Sequence, residues 1–487
     1  MFSTLDPLFD RLLPLLAEIE QPVHFVGGVV RDALLGRPIH DVDLIVPDGA
    51  IDLSAQLARR LDLRWFALDD VRDVGRIFAG ATTIDIARYR GAGFEQDLRD
   101  RDFTINALAL PVGSRSLNDV IDQHGGQVDL KARLIRAIHT NSIGDDPVRA
   151  LRAARFAVQL GFEVTPETIT AIRFAGPLLQ SRSSPERIRD ELSRILALDR
   201  PDIAVALLDE WGLLDVILPE VAALRDVEQS PPHHEAVLPH TLRVLRYMAQ
   251  VERLVDGEPV NGTWVEAARS SLRPYRRALA AHLDEPLDGG VSSRPMLRWA
   301  ALLHDVGKAV TQTIDDAGRI RFLGHDAAGA ELAATRLNRL KFSAEAVRRV
   351  RDAVDGHMRP LLLARDGAPG RRAIYRYYRT LHVAGVDVAL LSLADHLATY
   401  DGPGTDGSWE NLLSVVSTLL HHYYEKREQT IVPVRLLNGQ DIMALLGIGP
   451  GRQLGQLIAQ LEEAQAVGEV TTREAAETFV QRRYRPE

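Results

Sequence analysis

From about Asp145 to the end of the chain, apolar residues recur at helical spacing almost without interruption, whereas the preceding region alternates short apolar runs, glycine turns and strand-like segments. This pattern reads as an α+β protein with a small mixed-sheet head followed by a mostly helical body. In the head, His24-Phe-Val is a short apolar run, Gly27-Gly28 a turn, and Val29 to Leu35 has helical periodicity that Gly36 can stop. Asp41-Val-Asp-Leu-Ile-Val46 alternates like a half-buried strand, and Arg64–Leu68, Arg76–Ala79 and Thr83–Ala87 are further strand-like segments. The stretch Asp256–Pro295, with Pro259, Pro274, Pro286 and Pro295, is the weakest for regular structure, and Asp401-Gly-Pro-Gly-Thr-Asp-Gly407 reads as a linker. A length of 487 residues suggests about three domains. The breaks divide the chain into a head (1–140), a helical neck (141–225), a middle body (226–410) and a C-terminal helical tail (411–487).

With no cysteine, disulfides, thiolate zinc sites and thiol nucleophiles are excluded, so any metal must be held by His, Asp and Glu. No run of ~18 apolar residues indicates a membrane span. The N-terminal segment carries Asp6, Asp10, Glu18 and Glu20 and lacks a basic start, so it reads as an amphipathic helix and the expected location is cytoplasmic. Taken over the whole chain, the net charge of −9 argues against nucleic acid. Residues 131–200, however, carry 12 Arg or Lys against 8 Asp or Glu, and acidic metal sites reverse their local effect once a cation binds. Whole-chain charge is therefore the wrong scale.

Gly27-Gly28 at the start of a helix lets the backbone approach an anion, and the free N–H groups there favour phosphate, although two glycines before a helix more often make an ordinary turn. Asp41-x-Asp43 changes the weight of that turn. Residues i and i+2 of a strand face one side, and two adjacent carboxylates repel unless a cation sits between them. Paired hard oxygens suit Mg²⁺. Asp85 is either a third carboxylate facing the same metals or a surface strand residue. Arg101-Asp102-Phe103-Thr104-Ile105-Asn106-Ala107 adds charged residues running into an apolar segment, which is costly unless they are paired. Such an Arg–Asp pair can aim a guanidinium at a triphosphate.

Gly27-Gly-Val-Val-Arg-Asp32 with Asp41-Val-Asp43, then Arg101–Ala107, resembles the class II tRNA nucleotidyltransferase family, which includes CCA-adding enzymes and the related bacterial poly(A) polymerases. Further matches follow in the family's order: Asp122-Gln-His-Gly-Gly126 with Asp129-Leu130, Asp145-Asp-Pro-Val-Arg-Ala-Leu-Arg-Ala-Ala-Arg-Phe156, and Pro185-Glu-Arg-Ile-Arg-Asp-Glu-Leu192. The likeness spans roughly residues 23–220, and the last ~55 residues, from Leu436-Leu-Asn-Gly to Thr471-Thr-Arg-Glu474, resemble the family's tail. Asp146, Arg149, Arg152 and Arg155 recur every third residue, a stripe on a helix otherwise too apolar for free exposure, and its guanidinium groups need anions.

The resemblance implies that Asp41 and Asp43 are catalytic and bind two Mg²⁺ ions, and that Gly27, Gly28, Arg31, Arg101, Arg152 and Arg155 bind the nucleotide. It also implies that Asp146 and Arg149 read the base. A carboxylate accepts and a guanidinium donates, which complements the amino group and ring-nitrogen acceptor shared by cytosine and adenine. The implied partners are CTP or ATP and the tRNA 3′ end. Two positions depart from the family pattern: Asp100 stands where an arginine is common, and Asp145 replaces a glutamate.

The middle body carries a second constellation. His240, the adjacent His304-Asp305 and Asp395 lie in helical sequence, and burying the adjacent pair behind the apolar Ala301-Leu-Leu without a cation would be expensive. Imidazole and carboxylate ligands suit a divalent transition metal such as Fe, Mn, Ni or Zn. The series resembles the metal-dependent HD phosphohydrolase domain. Between its members, His325 and His357 either complete a two-metal site, bind substrate phosphate, or do neither; His233-His234 read as surface residues. The leading expectation is a template-independent enzyme adding C, A or both to tRNA. The alternatives are a poly(A) polymerase, or an HD hydrolase whose head serves as an RNA-binding module.

Overall fold

The computed structural model describes residues 6–39, 41–80, 82–287, 292–365 and 367–485; the first five residues of the expected N-terminal helix lie outside them. The chain forms two compact units, residues 1–184 with 211–213 and residues 185–210 with 214–487, a coarser division than the four segments read from the sequence.

In the first unit, helix α1 (Asp6–Ala17) precedes strand β1 (His24–Val26), α2 (Gly28–Leu34), β2 (Asp41–Val46), α3 (Ala50–Leu61), β3 (Arg64–Asp69), β4 (Val74–Ala79), β5 (Thr82–Arg88) and α4 (Phe94–Arg99). Then come β6 (Leu108–Pro111), β7 (Ile121–Asp122), α5 (Gly126–Ala132), α6 (Ser142–Asp145) and α7 (Val148–Leu160). One mixed sheet has the order β3-β4-β5-β2-β1-β6-β7, with β2 parallel to β5 and its other named pairings antiparallel. One face is apolar because the alternating residues Val42, Leu44, Ile77, Ile84 and Ile86 are buried. The amphipathic α3 packs on β4 and β5, burying Leu53, Leu57 and Leu61. Asp73, in the turn between β3 and β4, accepts from the backbone N–H groups of Ala50 (3.0 Å) and Ile51 (2.9 Å), satisfying the open N-terminus of α3.

Asp122 plays the same part for α5, accepting from the N–H groups of Gly126 (2.9 Å) and Gln127 (2.9 Å). A Cβ on Gly126 would stand 2.2 Å from the carbonyl oxygen of Thr104. Gly126→Ala is therefore expected to destabilise the head by about 1–3 kcal/mol, read as a lower midpoint in chemical denaturation.

The second unit is helical around Ala384–Tyr400, which is buried on every side from Ala384 to Ala398 and so is a core helix. Helices Val237–Asp256, Ser293–Leu303 and Ala344–Gly356 pack on it. Among the described residues no single helix is long and apolar enough to cross a membrane. The stretch expected to be weakest in regular structure instead holds helices Val265–Leu272 and Arg276–Asp284 and the start of Ser293–Leu303. Pro295 falls in the first turn of the last of these, where a missing N–H costs nothing, and Pro274 in the short 3₁₀ turn between the first two. Residues 401–407 form a turn between Ala384–Tyr400 and Ser408–Tyr424, two helices that pack on each other. The three C-terminal helices, Gly439–Leu446, Arg452–Val467 and Arg473–Arg483, enclose a small core of their own that includes Ile442, Leu457, Leu461 and Val480.

A buried polar network locks the second unit. Arg349 donates to Asp387 through Nε (2.6 Å) and Nη2 (3.0 Å) and to Ser293 Oγ (2.5 Å), while His282 Nε2 lies 2.8 Å from Asp387. Burial alone would raise the Asp387 carboxyl; Arg349 and then His282 hold it down at about 2. A folded-state value below the unfolded one gives stability that is present above pH ~4 and is lost as pH falls toward 2, amounting to about 2 kcal/mol. Arg349→Met is expected to move acid unfolding to higher pH, measured by denaturant titrations across pH 2–7.

Candidate functional site

The head site lies on the sheet face opposite α3. Strand alternation brings Asp41 and Asp43 to this face, and register places Asp41 beside Thr83 and Asp43 beside Asp85 on the parallel neighbour β5. Asp41 is exposed and accepts a hydrogen bond from the Thr83 hydroxyl (2.8 Å). Asp85 is held by Arg76 of β4 through Nε and Nη2, both at 2.7 Å. It thus shares the row of Asp43 but is already paired with a guanidinium. Burial pushes the Asp43 carboxyl up to about 6; Arg101 opposes this, and the charges of Asp85 and Asp41 add to it. A carboxylate crowded in this way has the electrostatics of a site completed by a cation, and the all-oxygen donor set fits Mg²⁺.

Gly27 has φ 70°, the left-handed region where glycine is at ease, and turns the chain from β1 into α2. A Cβ there would meet Arg101 Nη1 at 3.0 Å and Asp43 Oδ2 at 3.8 Å, so the glycine turn, Arg101 and Asp43 converge. Arg101 is aimed by the buried Asp97, which accepts from its Nε (3.0 Å) and Nη2 (2.8 Å). Gly28 opens α2 beside Arg31. Arg31 is buried, pairs with Asp32 (2.9 Å) and Asn106 Oδ1 (2.8 Å), and lies over the Phe156 ring. The polar segment after Arg101 is buried and internally satisfied, with Asp102 accepting from Phe103 N–H (2.8 Å), Asn106 Nδ2 (2.9 Å) and Arg152 Nε (2.7 Å). Burial would raise Asp102, but Arg152 and the Asn106 hydrogen bond hold it at about 2.

The basic helix starts later than its residue spacing suggests. α7 begins at Val148, and Asp146 lies outside it in an extended conformation (φ −141°, ψ 91°) because Pro147 disfavours helix in the residue before it. Arg149 Nη1 donates to the carbonyls of Arg101 (2.9 Å) and Ser142 (3.2 Å), Nη2 donates to the carbonyl of Asp100, and Nε faces Asp146 at 3.9 Å. The chain thus partly satisfies these guanidinium groups itself: neutral carbonyl acceptors for Arg149, the Asp102 carboxylate for Arg152. Arg155 donates to Gln159 (3.1 Å) and lies over Phe156.

In the second unit, the far-separated His and Asp residues come together. His240, His304 and Asp305 form one group of ligand atoms within 4.8 Å of one another, and Asp305, His325 and His357 form another. Asp395 joins the first through His240 Nε2 (3.1 Å) and lies 4.0 Å from His304 Nε2. Asp305 belongs to both groups. Its Oδ2 faces His304 (3.1 Å) and His240 (3.8 Å), and its Oδ1 faces His325 (3.6 Å) and His357 (3.7 Å). The Nδ1 atoms of His304, His325 and His357 lie 2.9, 2.8 and 2.6 Å from the carbonyls of Ala301, Phe322 and Val354. A ring donating there keeps the lone pair of a neutral imidazole on Nε2, toward the cluster. Asp305 Oδ1 is buried and accepts no hydrogen bond, as a ligand oxygen would be in the absence of its metal. The mixed imidazole and carboxylate set fits a divalent transition metal.

A cavity of about 1120 Å³ opens onto this cluster, lined by Asp305, Asp395 and Asp406 and by the cations Lys308, Arg319, Arg321 and Arg365. Lys308 donates to Asp305 Oδ2 and to Gln229 Oε1, each at 2.7 Å. His233 is not the surface residue expected: it is partly buried, lines the cavity and stacks edge-on to His240 at 4.8 Å. Its position before the helix Val237–Asp256, in a stretch without periodicity, left no pattern to betray this.

A family model for the poly A polymerase head domain matches residues 23–95 and 90–136, one for a probable RNA and SrmB-binding site of polymerase A matches 161–224, and one for the HD domain matches 237–400. The A-adding tRNA nucleotidyltransferase of Deinococcus radiodurans is 36% identical over 97% of this chain and 98% of its own length. The CC-adding tRNA nucleotidyltransferase of Thermus thermophilus is 33% identical over 93% of this chain and 92% of its own. Among solved structures, a CCA-adding enzyme in an apo form aligns over 99% of this chain and 95% of its own with a TM-score of 0.59 at 21% identity, a likeness of fold. The architecture is thus a nucleotidyltransferase head followed by an HD-bearing helical body. The chain belongs to the tRNA nucleotidyltransferase family.

Proposed function

We propose that this enzyme adds C, A or both, from CTP or ATP, to the 3′ end of tRNA. The observation that carries the reading is the convergence on one open sheet face of Asp41, Asp43, the Gly27 turn and Arg101. The primer 3′-oxygen attacks the α-phosphorus of the nucleotide, a new P–O bond forms, and the bond to the leaving pyrophosphate breaks. Asp41 and Asp43 would hold divalent cations, which when bound would favour loss of the hydroxyl proton to solvent and neutralise the charge of the pyrophosphate. The Gly28 N–H, at the start of α2, and the Arg101 guanidinium receive the triphosphate oxygens, while the Gly27 N–H is held by the Leu108 carbonyl (3.1 Å). Arg31, tied to Asp32 and Asn106, braces the turn from beneath.

Asp146 and Arg149 read the Watson–Crick edge. The carbonyls holding both terminal nitrogens of Arg149 fix its orientation, so the pair is set in place before the base arrives. Arg152 and Arg155 hold the helix geometry around Phe156. The test offers tRNA lacking CCA, tRNA ending in CC, and an unrelated RNA, each with CTP or ATP. Addition of CCA, CC or A to tRNA supports the reading and names the specificity; a long A tail on any RNA replaces it with a poly(A) polymerase.

A second reading concerns the HD cluster. Asp305, shared between two groups of imidazoles beside a cavity lined by Arg319, Arg321 and Arg365, supports a metal-dependent phosphohydrolase acting on a phosphate ester. The four-part division of the chain into head, neck, HD body and tail remains our proposal for its functional segments.

A further inference from the structure

We propose that Phe66 and Phe78 form a stacking platform for unpaired bases of the RNA primer, a few nucleotides upstream of its reacting 3′-hydroxyl. The proposal rests on the head reading above and adds a binding site to it. Strand register carries two continuous rows across the sheet: Asp43–Asp85–Arg76–Phe66, and Asp41–Thr83–Phe78–Arg64. Residues paired in register share a face, so both phenylalanines stand on the same open surface as the reacting carboxylates. At about 4.8 Å per strand, Phe78 lies roughly 10 Å from Asp41 and Phe66 roughly 14 Å from Asp43. That is about the distance covered by three or four stacked nucleotides at ~3.4 Å each.

The two rings lie 5.6 Å apart at 25°, and each residue is 41% exposed. The hydrophobic demand of the sheet is already met on the other face, where Ile77 and Ile84 are fully buried beneath α3. Two stacked, solvent-facing aromatics on an enzyme surface have no folding role of that kind, whereas single-stranded RNA is held by aromatic faces flanked by cations. Arg64, exposed at the edge strand and in register with Phe78, supplies a cation beside the rings. In the strand order the rings, on β3 and β4, lie on the side of Asp41 and Asp43 opposite the Gly27 turn after β1, so the primer and the triphosphate can occupy opposite sides of the carboxylates, which favours RNA over a second protein chain as the occupant.

The experiment uses the full-length chain and its Phe66→Ala, Phe78→Ala and double alanine variants, with the double Phe→Tyr variant as the rescue. Thermal melts confirm folding. Steady-state kinetics give separate KM values for tRNA and nucleotide, and fluorescence anisotropy gives Kd for a labelled single-stranded oligoribonucleotide ending in CC. The double alanine variant is expected to raise the tRNA KM and the oligonucleotide Kd about tenfold or more, with kcat and the nucleotide KM within about twofold; the tyrosine variant keeps wild-type values. An unchanged Kd in the alanine variant overturns the platform even when incorporation is normal. So does a rise in the nucleotide KM alone, or a wild-type dimer that the alanine substitutions dissociate. Loss of RNA affinity in a chain whose wild type incorporates no nucleotide supports the platform and overturns the head reading instead.

Discussion

Asp41→Ala and Asp43→Ala are each expected to lower nucleotide incorporation by about 10³-fold or more, leaving affinity for tRNA within a few-fold of wild type. The two effects separate because their physical origins differ. Transfer depends on charge placed where the reacting oxygens develop it, and Asp41 and Asp43 stand on one strand face with Asp43 beside the Gly27 turn. RNA affinity depends on many distributed phosphate contacts. Neither substitution should unfold the head. Asp41 is exposed and accepts from the Thr83 hydroxyl, and removing Asp43 ends an unfavourable burial of charge and its repulsion from Asp85 and Asp41 together with its attraction to Arg101. The expected melting temperature without divalent cation is close to that of wild type, because these opposing contributions offset one another. Single-turnover incorporation, filter binding and a thermal melt check the three statements; wild-type activity in either variant would sink the assignment.

The second large effect is expected at Asp305. Because both groups of imidazoles converge on this one carboxylate, Asp305→Ala should empty both, whereas His357→Ala should spare the group around His240 and His304. Metal analysis after purification tests this directly, and hydrolysis of 2′,3′-cyclic phosphates and phosphate monoesters tests the hydrolase reading. Both are expected to fall to background in the Asp305 variant while head-dependent incorporation is retained. Removing the carboxylate also strands the buried Lys308 ammonium, a cost of about 3–5 kcal/mol, so Asp305→Asn is the companion variant that keeps a hydrogen-bond acceptor there. Metal content equal to wild type in both variants would defeat the proposed ligand role of Asp305.

The parts of these sites legible in the sequence were those whose geometry is set by local periodicity. Asp41-x-Asp43 could be assigned to one face because strand side chains alternate, and His304-Asp305 stood out because a charged pair follows an apolar helical run. What depends on non-local pairing was not legible. The place of Asp85 depends on its strand running parallel beside β2, and its pairing with Arg76 comes from a third strand, neither of which local spacing encodes. The arginine spacing suggested one helical stripe from Asp146 onward, but Pro147 pushes Asp146 out of the helix, and backbone carbonyls from residues 100, 101 and 142 claim Arg149. The Arg349–Asp387–His282 network escaped notice because its members sit on three helices with no shared spacing. The prolines of 256–295 misled in the other direction: at helix starts and between helices they punctuate helical structure rather than forbid it.

The hairpin β3–β4 has a consequence for how its length can vary. Its two faces have opposite duties, Ile77 toward α3 and Phe66, Arg76 and Phe78 toward the open side. An insertion of one residue within either strand would exchange the two sets beyond that point, whereas a pair of added residues would preserve them. The turn is no freer, because Asp73 within it closes the N-terminus of α3. Length changes in the strands thus come as even steps, or as a bulge like the register shift already present between Ala67 and Asp69, and in the turn at positions before Asp73. In an insertion library across 64–79, surviving variants should accordingly show a parity pattern.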